Sequence, residues 1–155
     1  ANAVVTLNSN HITYLPEIVT AAAAAALTGP QDITKEKCAH FAKRRDEVLD
    51  ALLSIPGVKC PRPQGEFYAF PNISVAFGKS HDGALIENDV DFCAALLDAK
   101  GVATVPGSAF GEPRALRISY TCPRAQLESG LQRIREFFAE LVEVAPAGRA
   151  SAAGA

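Results

Sequence analysis

One arginine gathers the chemistry of this 155-residue chain. In Leu116-Arg117-Ile118-Ser119-Tyr120 a guanidinium stands inside an otherwise apolar strand pattern, just after the turn Val105-Pro106-Gly107-Ser108-Ala109-Phe110-Gly111. Strand side chains alternate faces, so Leu116, Ile118 and Tyr120 are expected on one side and Ala115, Arg117 and Ser119 on the other. Small neighbours would leave room above Arg117 for a ligand. Its planar fork of donors matches a carboxylate in bidentate fashion. An edge-strand arginine that merely faces water explains the same pattern. Upstream, Gly65-Glu66-Phe67-Tyr68-Ala69-Phe70-Pro71 follows a Pro/Gly-rich turn and reads as a second strand. Tyr68 is expected there in the core, with its hydroxyl at a rim.

The remaining reactive residue types form no constellation. His11, His40 and His81 lack ligand spacing, and no Ser/His/Asp or Cys/His set can be assembled, so no metal is expected. Gly107 and Gly111 precede a strand, whereas a phosphate cradle needs a following helix N-terminus; the turn is expected to be structural. Cys38, Cys60, Cys93 and Cys122 contain no Cys-x-x-Cys pair, and are expected to be reduced, mostly buried thiols. A formal net charge of -2 gives no electrostatic case for nucleic acid or an anionic membrane. With 48% hydrophobic and 21% charged residues the chain reads as globular. The longest apolar stretch, Ala21 to Leu27, is too short to span a bilayer, and the opening residues show no signal peptide; the reduced thiols are those of a cytoplasmic protein. The chain has no methionine and opens Ala1-Asn2-Ala3-Val4 without a capping or turn signal, which points to a fragment.

The elements that must position Arg117 follow from periodicity. Ala3 to Leu7 is apolar, of helix or strand type, and Asn8 to His11 reads as a polar loop. Pro16 and Glu17 suit a helix start, Ala21 to Ala26 continue it, and Gly29-Pro30 stop it. A long helix should run from Asp32 or Thr34 to about Ser54, burying Cys38, Phe41, Val48, Leu49, Leu52 and Leu53. Lys35, Lys37, Lys43, Arg44, Asp46 and Glu47 read as its solvated side. Gly78 to Asn88 reads as a surface loop. Asp89 can cap a helix that buries Val90, Cys93, Ala94 and Leu97 and ends at Gly101. Val102 to Val105 should be a short strand and Arg114 to Tyr120 the next. Thr121 and Pro123 open a last helix with Leu127, Leu131, Ile134, Phe138 and Leu141 in register. Residues 145–155 are Ala/Gly/Ser/Pro-rich and expected to be a disordered tail.

Gly65 to Tyr68, then Val105 to Gly111, then Arg117 to Tyr120 form an ordered set. It resembles the C-terminal region of class I aminotransferases of the aspartate aminotransferase type, pyridoxal-phosphate enzymes of fold type I. That family shows Gly-Ala-Phe-Tyr, Val-Pro-Gly-Ser-x-Phe-Gly and Arg-x-Ser-Tyr in this order, and the similarity runs from about Leu7 to about Val142. The resemblance implies an α/β architecture in which a long connecting helix leads into a small C-terminal domain, a small mixed or antiparallel sheet covered by helices. Residues 1–30 would be a remnant of the large cofactor domain, 31–54 the connecting helix and 55–144 the small substrate-clamping domain. It further implies amino acid and 2-oxo acid substrates, pyridoxal 5'-phosphate as cofactor and a homodimer.

For particular residues, the resemblance makes Arg117 the holder of the substrate α-carboxylate and sets Tyr68 at the substrate entrance. Thr13 becomes a donor toward the cofactor phosphate of a neighbouring subunit. Two departures matter: Glu66 stands where the family has alanine, and His11-Ile12 where it has Ser-Thr. None of Lys35, Lys37, Lys43, Lys59, Lys79 and Lys100 lies in the family's Ser-Lys-x-(Tyr/Phe) context. The chain is therefore expected to clamp substrate without holding the Schiff-base lysine or any catalytic residue, and to be inactive alone. The rival is a non-catalytic module that binds carboxylates or pairs with other subunits.

Overall fold

Helix signals dominate the first third of the chain and recur later. The computed structural model, which describes residues 2–12 and 14–144, turns them into α1 (Asn2–His11), α2 (Glu17–Thr28), α3 (Asp32–Leu53), α4 (Asp89–Lys100) and α5 (Arg124–Glu140). The strands are β1 (Tyr68–Ala69), β2 (Lys79–His81), β3 (Ala84–Leu85), β4 (Val105–Pro106), β5 (Leu116–Ser119) and β6 (Val142–Glu143). The chain divides into two units, Ala1–Ala39 and His40–Ala155. The expected tail, 145–155, lies outside the described residues.

In the first unit α1 continues through Asn8 to His11, where a loop was expected. Its hydroxyls are satisfied inside the helix: Thr6 Oγ1 donates to Asn2 O and Ser9 Oγ to Thr6 O, both at 3.0 Å. Polar residues so bonded do not break the backbone ladder. Pro16 stands one position outside α2, and Gly29 N closes that helix on Ala25 O at 2.9 Å. No residue of α1 or α2 is buried.

The second unit carries the core. Leu127, Leu131, Ile134 and Phe137 make one buried stripe of α5, as their spacing at three and four residues requires. Phe92 of α4 meets Phe137 edge-on at 5.3 Å, in a cluster that also holds Val48, Leu52, Leu116, Ile118 and Tyr120. Two antiparallel sheets, ordered β1-β5-β4 and β3-β2-β6, give the mixed α/β architecture that was expected.

Local differences have local causes. α4 buries Asp89, Phe92, Cys93 and Leu96, while Val90 and Leu97 are about half exposed. The largest ring of the helix sets its roll, because Phe92 must reach Phe137 and Phe138. Asn88 is the cap in place of Asp89; its Oδ1 accepts from Val90 N and Asp91 N at 2.9 and 3.0 Å. Arg44, expected in water, is buried and donates to Tyr120 O at 2.9 Å and Cys122 O at 2.7 Å. Leu53, expected inside, is exposed. Within the supposed loop Gly78 to Asn88, β2 and β3 form a hairpin on Asp82 (φ 47°) and Gly83 (φ 82°). Two consecutive positive φ values make the primed turn that matches strand twist. β1 is shorter than expected, yet Tyr120 N and Leu116 N extend its pairing to Phe67 O and Pro71 O, both at 3.1 Å. β4 begins at Val105, not Val102. Among the free cysteines only Cys93 is buried; Cys60 and Cys122 are half-buried and Cys38 is exposed, against the expectation of mostly buried thiols.

The C-terminal ends of α4 and α5 are joined through Glu140, whose carboxylate pairs with Lys100 and lies 3.0 Å from His81 Nε2. Lys100 first and His81 second hold the Glu140 carboxyl below the ordinary range. A depressed folded-state value contributes stability above the unfolded pKa, near 4.3 for glutamate, and loses it as pH falls through the folded value. Urea unfolding should therefore show E140Q weaker than the unmodified chain at neutral pH, with the gap closing between about pH 5 and 3. A gap that persists into acid would mean the pair contributes nothing.

Candidate functional site

The alternation read from Leu116 to Tyr120 is real: Leu116, Ile118 and Tyr120 are 1%, 8% and 1% exposed, while Arg117 is half-buried and Ser119 exposed. β5 is the middle strand of its sheet, so an edge-strand arginine is excluded. Val105 lies opposite Arg117 on β4, and Tyr68 opposite Ser119 on β1.

The surroundings of Arg117 differ from the small neighbours expected. Its guanidinium carbon lies 4.4 Å from the ring centroid of Tyr68 and 4.4 Å from that of Phe110. Ala115, expected beside it on the open face, is buried. Two aromatic faces attract the cation through their quadrupoles and fix its plane. The in-plane N–H groups stay free: among the described residues no carboxylate pairs with Arg117 and no acceptor takes a hydrogen bond from it. A flat cation, held by its faces and open at its edge, presents the fork that a carboxylate fits.

Phe110 is the member of this site that spacing did not reveal. It ends the 3₁₀ turn Gly107–Phe110, which Gly111 closes in the left-handed region at φ 82°. Phe70 meets its ring edge-on at 6.2 Å. The available signal was an aromatic residue within a glycine turn directly ahead of the arginine strand. Gly107 N donates to Ala115 O at 2.9 Å, which folds the turn back against β5. Gly107 serves close approach here: a Cβ on it would lie 2.3 Å from Glu112 O and 2.5 Å from Ala115 O.

The structure thus brings Tyr68 to Arg117, and Phe67 packs on Tyr68 with ring centroids 4.8 Å apart. Thr13 lies outside the described residues. Lys79 and Lys100 are engaged with Glu143 and Glu140, and Lys35, Lys37, Lys43 and Lys59 are exposed. Among the described residues no group of three or more His, Cys, Asp or Glu is placed to hold a metal, and no helix is long and apolar enough to cross a membrane. A cleft of about 510 Å³ between Gly101–Thr104 and α5 excludes Arg117 and Tyr68.

Comparison with known proteins adds a family. The family model "Aminotransferase class I and II" matches residues 2–134. The aspartate aminotransferase of Rhizobium meliloti is 47% identical over 115 residues, which is 74% of this chain and 28% of that protein. The aspartate/prephenate aminotransferase of Cereibacter sphaeroides is 44% identical over 121 residues, 77% of this chain and 30% of that protein. The crystal structure of the aspartate aminotransferase from Rhizobium meliloti aligns with a TM-score of 0.76 at 44% identity, covering 79% of this chain and 31% of that one. The chain thus spans less than a third of the length of these relatives.

Proposed function

The chain belongs to the class I and II aminotransferases, and on that premise we propose that it is the C-terminal, substrate-clamping part of a transaminase. In this reading Arg117 grips the α-carboxylate of an amino acid or 2-oxo acid, with Tyr68 at the rim of the site. The observation that carries it is the unpaired guanidinium held between Tyr68 and Phe110 on a central strand. A clamped carboxylate removes rotational freedom at the substrate's Cα, so the Cα–H bond is presented in one direction. Residues 1–30 then belong to a large cofactor domain, 31–54 form the connecting helix and 55–144 the small domain. The assembled enzyme is a cytoplasmic homodimer, with Thr13 a donor toward the cofactor phosphate of a neighbouring subunit.

Pyridoxal phosphate, which the family implies, requires a lysine for its Schiff base. The described residues do not fit that anchor. Each lysine is either exposed or engaged with a glutamate. The reading gives this chain the carboxylate grip, with no catalytic residue, and leaves the anchor outside it. The same lysine placement favours a second reading, a non-catalytic carboxylate-binding or subunit-pairing module. A near-ultraviolet or visible absorption band retained by the chain after free pyridoxal phosphate is removed would overturn both readings, since each leaves the cofactor anchor outside the chain.

The carboxylate reading is tested on the chain itself. Titration with succinate should shift the Arg117 Nε–Hε resonance saturably, while succinamide, of similar shape but uncharged, should leave it in place. An unresponsive Arg117, or an equal response to both compounds, would overturn the reading.

A further inference from the structure

We propose that Arg44 and Asp89 are positioning residues that hold the Arg117 guanidinium in its aromatic slot. The inference rests on the reading of Arg117 as a carboxylate grip and extends it to two side chains that touch no substrate.

Among the described residues, Arg44 and Asp89 are the buried charged side chains, at 8% and 2% exposure. Burying a charge is costly unless its hydrogen bonds are made. Neither forms an ion pair with a described residue. Each instead bonds the backbone of a segment that carries the slot. Arg44 of α3 donates from Nη1 to Tyr120 O at 2.9 Å and from Nη2 to Cys122 O at 2.7 Å, gripping the chain where β5 leaves Arg117. Asp89 of α4 accepts from Ser108 N at 2.7 Å, within the turn that presents Phe110. The third wall is tied in the same way, since Tyr120 Oη donates to Glu66 O at 3.1 Å, just ahead of Tyr68. Glu66 sits at φ 61°, a left-handed conformation that disfavours non-glycine residues and needs such a tie.

All three members of the slot are therefore anchored by a polar bond a few residues away that belongs to no strand ladder. Two of these anchors are charge-assisted, which makes them shorter and stiffer than neutral bonds. Guanidinium recognition depends on orientation to within tens of degrees, so play in any of the three backbones would be felt at the ligand.

The test follows Arg117 Nε–Hε in the 155-residue chain, together with succinate affinity. The unmodified chain should show an order parameter near the rigid value of about 0.85. Arg44→Met and Asp89→Ala should lower it below about 0.6 and weaken succinate roughly tenfold. Arg44→Lys, which can still reach one carbonyl, should fall between, and Asp89→Asn, which keeps an acceptor, should stay close to the unmodified chain. The chemical shifts of the Phe92 and Phe137 rings report whether each variant remains folded. Folded variants with Arg117 order unchanged overturn the proposal, even if succinate weakens, and so does unfolding of all four. If the unmodified chain ignores succinate while Arg44→Met and Asp89→Ala loosen Arg117, the carboxylate reading fails and the positioning role stands.

Discussion

Replacing Arg117 by lysine should weaken succinate binding about 10- to 100-fold while leaving the chain folded. The substitution keeps the positive charge, so it isolates geometry from electrostatics. A lysine ammonium is a compact point charge on a flexible stem and cannot offer two parallel N–H donors to one carboxylate. The lost charge-assisted bond is worth about 1.5–3 kcal/mol, and each 1.4 kcal/mol is a factor of ten in affinity. Lysine also forfeits the planar fit between Tyr68 and Phe110, whose centroids both lie 4.4 Å from the guanidinium carbon. Thermal unfolding should move little, because the side chain is only half-buried and no described residue forms an ion pair with it. In an active transaminase containing this chain, R117K should depress turnover with carboxylate substrates and spare cofactor binding. Unchanged succinate affinity in the folded variant would leave Arg117 without a carboxylate-binding role.

What could be read in advance was what local periodicity controls. The two-residue period of Leu116 to Tyr120 placed Arg117 on the open face because a sheet offers only two faces. The three- and four-residue spacing of Leu127, Leu131 and Ile134 likewise sufficed for α5. Where distant partners decided, the reading failed. Nothing near Arg44 announces that carbonyls of Tyr120 and Cys122, 76 and 78 residues later, will receive it. The face of α4 was set by Phe92 meeting Phe137 of another helix, so Val90 and Leu97 turned outward. Phe110 joined the site through tertiary contact across a turn, which spacing does not encode. The Asp82-Gly83 hairpin is different, since its turn chemistry was local and present. It was outweighed by the polarity of the residues around it. The ordered motifs pointed to the right family because they mark the backbone that builds the slot, although Glu66 departs from the pattern within one of them.

Among the described glycines, Gly107→Ala should be the most damaging, at about 3 kcal/mol, for a reason unrelated to backbone dihedrals. The new Cβ would sit 2.3 Å from Glu112 O, 2.5 Å from Ala115 O and 2.8 Å from Ala115 C, all backbone atoms. Those atoms are not free to yield: Gly107 N donates to Ala115 O at 2.9 Å, Glu112 N to Gly107 O at 3.1 Å and Ala115 N to Glu112 O at 3.1 Å. Relieving the clash means opening the turn and losing some of these bonds, each worth about 0.5–1.5 kcal/mol. Two other glycines calibrate the expectation. Gly111 has φ 82° but open space around its Cβ position, so Gly111→Ala should cost only the left-handed penalty of about 1–2 kcal/mol. Gly57 combines φ 81° with a contact of 2.7 Å to Val75 Cγ2, a side-chain atom that can move aside, so Gly57→Ala should fall between. Urea unfolding of the three variants should therefore rank Gly107→Ala worst. Where the Gly107 variant still folds, succinate should bind more weakly, because the displaced turn carries Phe110 away from Arg117. A Gly107→Ala chain as stable as Gly111→Ala, with succinate affinity intact, would show that the turn yields freely and that the slot does not depend on it.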